Sequence, residues 1–146
     1  MEVENSVGIF LTETWLDESV TNAELQMSNY EIYRADRMSR ARGGAAICLR
    51  KNLQCKQVFT YSNSVVESLI VKSKFLKCMF ICVYRPPSTS NIEWKQSIDA
   101  LEEAIEMAQS NGEYDTIVIG GDFNFPNIVL EENLPSMTLH LSNQDS

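Results

Sequence analysis

The feature that most constrains this chain is the length of its apolar runs. Val7-Gly8-Ile9-Phe10-Leu11-Thr12, Ala45 to Leu49, Val65 to Val71, Leu76 to Tyr84 and Thr116-Ile117-Val118-Ile119 are all of strand length. Such runs bounded by turn residues specify buried strands. Tyr30 to Arg34 alternates as a further short strand. One segment has a different period. Trp94, Ile98, Leu101, Ile105 and Ala108 recur at helical spacing behind Ser90 and Glu93, a capping box, and ahead of the stop Asn111-Gly112. Residues 14–27 carry a looser helical pattern, with Trp15, Leu16, Val20, Ala23, Leu25 and Met27. Strands alternating with helices predict an α/β layer arrangement. The expectation is mainly one mixed sheet, with strands at about 7–12, 45–49, 66–72, 76–84 and 116–120, and a helix over 91–110 packed on one face.

Punctuation agrees with this division. Residues 65–71 and 76–84 read as a hairpin turning near Ser73-Lys74, and Pro86-Pro87 ends its second strand. Ser39 to Gly44 breaks both periods and is a loop. The run at 116–119 has the continuous β-branched character of a strand buried on both faces. After Pro126 the pattern decays, so residues 128–146 read as an irregular tail. At 146 residues the chain is one domain in size. Its longest apolar run, Cys78 to Tyr84, is too short to span a bilayer. The acidic N-terminus lacks the basic-then-apolar pattern of a secretory signal, and the expected compartment is intracellular. Cys48, Cys55, Cys78 and Cys82 show no C-x-x-C spacing and read as core thiols. A zinc site is disfavoured, because the one histidine, His140, is far from them in sequence.

A formal net charge of −8 argues against a protein that coats nucleic acid. The distribution is uneven. Residues 1–33 hold seven acids and no Lys or Arg, whereas residues 34–90 hold eleven basic groups against Asp36 and Glu67. A solvated face and a phosphate-facing patch beside an acidic metal site both account for this pattern.

Two carboxylates stand out by position. Glu13 ends the first strand and Asp122 follows the last. With both strands parallel in one sheet, both acids emerge at the carboxyl edge, where α/β sheets place ligands. With the amide of Asn124 they would suit a hard divalent cation such as Mg²⁺. The alternative is that Glu13 caps a helix and Asp122 shapes a turn. Gly120-Gly121 is either an ordinary turn or a close approach of backbone to phosphate. Tyr84 and Arg85, at another strand end, either contact a phosphate oxygen or sit at a solvated rim.

Five motifs then occur in order: Thr12-Glu13-Thr14-Trp15-Leu16-Asp17, Arg42-Gly43-Gly44, Val66-Glu67-Ser68-Leu69, Val83-Tyr84-Arg85-Pro86-Pro87-Ser88 and Gly121-Asp122-Phe123-Asn124. Together, over residues 6–127, they resemble the endonuclease domain of non-LTR (LINE-type) retrotransposons, in the exonuclease-endonuclease-phosphatase superfamily. The resemblance implies a partial four-layer α/β-sandwich and Mg²⁺-dependent hydrolysis of a DNA phosphodiester, with Mn²⁺ as a substitute. It implies Glu13 as metal ligand and Asp122 as the group that orients or deprotonates the attacking water. Asn124 would hold the scissile phosphate or the metal's surroundings, and Tyr84 would contact the phosphate. Arg40, Arg42 and Arg85 are the expected DNA contacts. The implied partners are DNA and a reverse transcriptase domain of a parent polyprotein, with no membrane.

The departures from the family set further expectations. Its first strand carries a metal-site asparagine, and Asn5 is too close to Glu13 to replace it. Its closing Ser-Asp-His element is absent, since His140 lies in Leu139-His140-Leu141-Ser142. The chain is therefore expected to be truncated at both ends, to lack most of the second sheet, and to be inactive. A non-catalytic relic or an interaction fragment of such a domain is the alternative.

Overall fold

The computed structural model describes residues 6–25, 27–38, 42–63, 66–109 and 112–124. The tail at 128–146, His140 and Arg40 lie outside the described residues. Among the described residues seven strands and one α-helix form: β1 (Gly8–Thr12), β2 (Tyr30–Ala35), β3 (Ala45–Arg50), β4 (Cys55–Ser62), β5 (Glu67–Ser73), β6 (Cys78–Tyr84), α1 (Asn91–Gln109) and β7 (Thr116–Asp122).

The expected single mixed sheet is in fact two sheets. One is antiparallel with strand order β1-β3-β2, and the other has order β4-β5-β6-β7 with only the β6–β7 pair parallel. Two sheets are therefore present where mainly one was expected. The reason is legible in the burial pattern. Alternate residues of β3 and β5, among them Ala45, Ile47, Leu49, Leu69 and Val71, join Phe80, Cys82 and Tyr84 of β6 in one core between the sheets. The opposite faces of β5 and β6, through Val66, Ile70, Met79, Ile81 and Val83, pack on Trp94 and Leu101 of α1 and on Tyr114. Strands buried on both sides give uninterrupted apolar runs whichever sheet they join, so the runs alone could not sort them.

Three other expectations are corrected. The described residues within 14–27 form turns and irregular backbone, not a helix. Local side chains compete for the backbone there. Asp17 accepts from the Ser19 amide at 2.8 Å, and Glu24 accepts from the Thr21 amide at 2.7 Å. Arg34 takes the carbonyls of Asp17 and Val20 at 2.8 and 2.6 Å, which a helix would have used. Ala23, Leu25 and Met27 line one cavity with Ile32 and Cys48 of the first sheet. Second, β7 is the last strand in its sheet and is only half-buried, with Thr116, Val118 and Gly121 exposed. Third, β4 was not anticipated. Its alternating half-buried pattern and its bulge between Gln57 and Phe59 mark it as the other outermost strand.

The remaining elements agree with the sequence. The hairpin turn falls at Lys74–Lys77, with the Lys77 amide on the Lys74 carbonyl at 3.3 Å. All four cysteines are free, and three of them, Cys48, Cys78 and Cys82, are buried. Burial raises Cys82 to about 12, so it is a thiol at neutral pH. No helix among the described residues is long and apolar enough to cross a membrane.

The α1 cap forms as its spacing predicts. Glu93 accepts from the Ser90 amide and hydroxyl at 3.1 and 2.9 Å, and the Glu93 amide donates to Ser90 Oγ at 3.2 Å. Replacing Ser90 with alanine removes the hydroxyl's part of that exchange. Urea unfolding of Ser90→Ala should show a loss of about 1 kcal/mol, and an unchanged midpoint would mean the cap contributes nothing.

Candidate functional site

The two acids reach the same end of the molecule by a route other than the one expected. Glu13 leaves the end of β1 in one sheet, and Asp122 ends β7 in the other. The sheets meet there because Gly120 leaves room for Phe10. A Cβ on Gly120 would lie 2.9 Å from the Phe10 ring. The Tyr84 hydroxyl then closes the gap by donating to Glu13 Oε1 at 2.6 Å. Within its own sheet Tyr84 pairs in register with Glu67 on one side and Asp122 on the other. Neighbouring strands are about 4.8 Å apart, so Asp122 stands one strand spacing from Tyr84.

Glu67 was noted only as part of a motif, and no role was assigned to it. It has no exposed surface. Arg37 grips it with Nε on Oε1 at 2.5 Å and Nη2 on Oε2 at 3.1 Å, and the Gly44 amide donates to Oε2 at 3.2 Å. The Arg37 guanidinium also lies 5.7 Å from the Tyr84 ring centroid. A lone acid inside an otherwise apolar strand run was the available signal, since a buried carboxylate needs a partner. The glycines beside it are spatial requirements. A Cβ on Gly43 would fall 2.4 Å from Arg37 Cζ, and one on Gly44 would fall 2.4 Å from Thr14 Oγ1.

The other predicted residues are placed as follows. The Asn124 amide N–H donates to Asp122 Oδ1 at 3.1 Å, and its Nδ2 donates to the Arg85 carbonyl at 2.8 Å. The Arg85 amide donates to the Asp122 carbonyl at 2.8 Å. Asp122, Asn124 and Arg85 are thus tied in one knot beside Tyr84. The Arg85 guanidinium is buried. It donates to the carbonyls of Asn124 and Phe123 at 3.1 and 3.3 Å and lies 5.4 Å from the Trp94 ring centroid. Arg42 is exposed and lies 5.4 Å from the ring centroid of Trp15.

Glu13 is exposed at the mouth of this arrangement. Beside it, Thr14 Oγ1 is buried and meets no hydrogen-bond partner among the described residues. Such an oxygen suits an ordered water. No group of three acidic, cysteine or histidine side chains converges among the described residues.

Comparison with known proteins bears on the fold alone. No protein-family model matches the chain, and no curated protein matches it. Among solved structures it is similar to D. rerio TDP2 complexed with single strand DNA product, at 15% identity and a TM-score of 0.53 over 83% of this chain. It is also similar to the human Nocturnin catalytic domain with bound sulfate anion, at 13% identity and a TM-score of 0.53 over 82% of this chain. It spans about half of each, 49% and 51%. The fold is thus of the endonuclease/exonuclease/phosphatase-like α/β class.

Burial, followed by the hydrogen bond to Glu13 and its charge, pushes the Tyr84 hydroxyl up to about 12. An unfolded tyrosine ionises near 10. The unfolded chain therefore loses this proton first, and stability falls as pH rises from about 10 through 12. Urea midpoints measured at about pH 9.5 and 11.5 should fall further in the parent than in Tyr84→Phe. An equal fall would mean that Tyr84 gains nothing from Glu13.

Proposed function

We propose that this chain carries the phosphate- and metal-binding edge of a metal-dependent phosphodiesterase acting on DNA, of the LINE-type retrotransposon kind. The observation that carries the proposal is the Tyr84–Glu13 hydrogen bond across two sheets, one strand from Asp122. Fold alone does not confer function, so the argument rests on that local chemistry. The neighbours in complex with DNA product and with sulfate are consistent with it.

In this proposal Glu13 and Asp122 are the residues that would hold Mg²⁺ or Mn²⁺. The bound ion would offset charge developing on the phosphoryl oxygens. Asp122 orients the attacking water and accepts its proton. Asn124 is fixed against the Arg85 carbonyl to contact the phosphate. Tyr84 holds the Glu13 carboxylate through its single hydroxyl proton, which would turn from Glu13 to a phosphate oxygen when substrate binds. Buried Arg85 acts as a positioning residue that pins the Asp122–Asn124 loop, while Arg40 and Arg42 supply attraction to the DNA backbone. A reverse transcriptase domain in the parent polyprotein belongs to the same proposal.

Acid–base help is typically worth about 10²–10⁴-fold, and the sequence holds no Ser-Asp-His element to supply it. The 146-residue chain is therefore expected to bind DNA without cleaving it appreciably. Fluorescence anisotropy with a labelled single-stranded oligonucleotide tests the binding. Affinity should rise when Mg²⁺ is added, and Glu13→Gln or Asp122→Asn should remove most of that rise; in EDTA either change should tighten binding slightly, because it removes a negative charge beside the phosphate. Binding indifferent to Mg²⁺ and to both substitutions would overturn the proposal. Supercoiled plasmid with Mg²⁺ or Mn²⁺ should stay intact. Nicking abolished by Asp122→Ala would show instead that the residues present suffice for catalysis.

A further inference from the structure

Beside Glu13 stands an exposed aromatic side chain, Trp15. It is 58% exposed, whereas Trp94 is 6% exposed. A surface tryptophan loses hydrophobic stabilisation that burial would supply, so its placement needs a reason. The backbone around it is strained as well. Glu13 and Trp15 have φ of 51° and 55°, a left-handed conformation that a bulky side chain rarely adopts. Such strain persists only where surroundings enforce it, and it gathers at functional sites.

The surroundings do enforce it. The Trp15 amide donates to the Gly43 carbonyl at 2.9 Å. Thr14, between the two strained residues, packs against Gly44 so closely that no side chain would fit there. The turn is therefore clamped to the β2–β3 connection, whose Gly44 amide also serves buried Glu67. Arg42, from the same connection, lays its guanidinium 5.4 Å from the Trp15 ring centroid. The result is a rigid aromatic plane with a cation on it, two residues from Glu13.

We propose that Trp15, with Arg42, is a stacking platform for a nucleobase of a strand whose phosphate lies at Glu13 and Tyr84. This deepens the proposed function, on which it rests, by naming the substrate as a strand with at least one unstacked base. Every base has a π-face, so stacking supplies affinity without sequence preference. The guanidinium on the ring adds charge toward the backbone and holds the indole in place. A duplex with all its bases stacked offers the platform nothing. Single strands, ends and flipped-out nucleotides are therefore preferred.

The test compares a ten-nucleotide oligothymidylate with an abasic oligonucleotide of the same length and charge, both in Mg²⁺. The oligothymidylate should bind more tightly to the full chain and quench its tryptophan fluorescence. Trp15→Ala should weaken oligothymidylate binding roughly five- to one-hundred-fold, the range for one stacked base, and leave abasic binding unchanged. Trp15→Phe should retain most of the affinity while abolishing the quenching, because Trp94 is buried. Far-ultraviolet circular dichroism shows whether each variant is folded. Should both oligonucleotides bind equally to the parent, with Trp15→Phe and Trp15→Ala indistinguishable from it, the platform is refuted and the exposed Trp–Arg pair is better assigned to a protein contact. Should neither bind the parent at all, the proposed function falls and the platform falls with it.

Discussion

A carboxylate with no exposed surface sits at the start of β5, and the arrangement around it depends on how it is paired. Glu67 is neutralised by the Arg37 fork and accepts from the Gly44 amide. Breaking such a buried pair by removing one partner typically costs about 3–5 kcal/mol. The pair joins the β2–β3 connection of one sheet to a strand of the other. It thereby fixes the backbone of Gly43 and Gly44, against which Thr14 and the Trp15 amide are seated. It also places the Arg37 guanidinium beside the Tyr84 ring, and Tyr84 in turn holds Glu13. One desolvated ion pair thus sets the positions of an exposed carboxylate, Glu13, and of an exposed indole, Trp15.

The two-sheet arrangement explains why the site forms at this end. β1 and β7 lie at the ends of their sheets' strand orders, and Gly120 lets Phe10 close against β7. Gly121 serves the same approach inside its own sheet, where a Cβ would lie 1.9 Å from the Val83 carbonyl oxygen. The Gly-Gly pair before Asp122 is thus required by packing on both sides, whatever its relation to a phosphate. Arg85 then secures the loop that follows. It is buried against Trp94 of α1, so the helix on the far face of the sheet contributes to the position of Asn124. The layers are coupled through side chains that the proposed chemistry does not consume.

Much of this was legible in the sequence where the signal was local. The apolar runs located five strands, alternation located a sixth, the capping box located α1, and the strand-end positions of Glu13, Asp122 and Tyr84 singled out side chains that the fold brings together. What the sequence did not resolve was non-local. β5 and β6 bury both faces, so their runs say nothing about which sheet they join. The turns at 14–27 mimic a helical period because Trp15, Leu16 and Val20 alternate with polar groups. Arg34, distant in sequence, claims the carbonyls that a helix would need. Glu67 carried a readable signal in its lone charge, but its partner Arg37 is 30 residues away. Trp15 gave no sign that it would be exposed, since a tryptophan after a strand is ordinarily core.

The central claim is that Glu13 and Asp122, from different sheets, face one cation site. Paramagnetic broadening by Mn²⁺ in amide-resolved NMR measures this most directly, because the effect falls steeply with distance from the ion. At substoichiometric Mn²⁺ the amides of residues 13–15 and 121–124 should lose intensity together, ahead of those in α1 and β4, and Mg²⁺ should restore them. Broadening confined to one of the two segments, or spread evenly over the acidic surface of α1, would contradict the account.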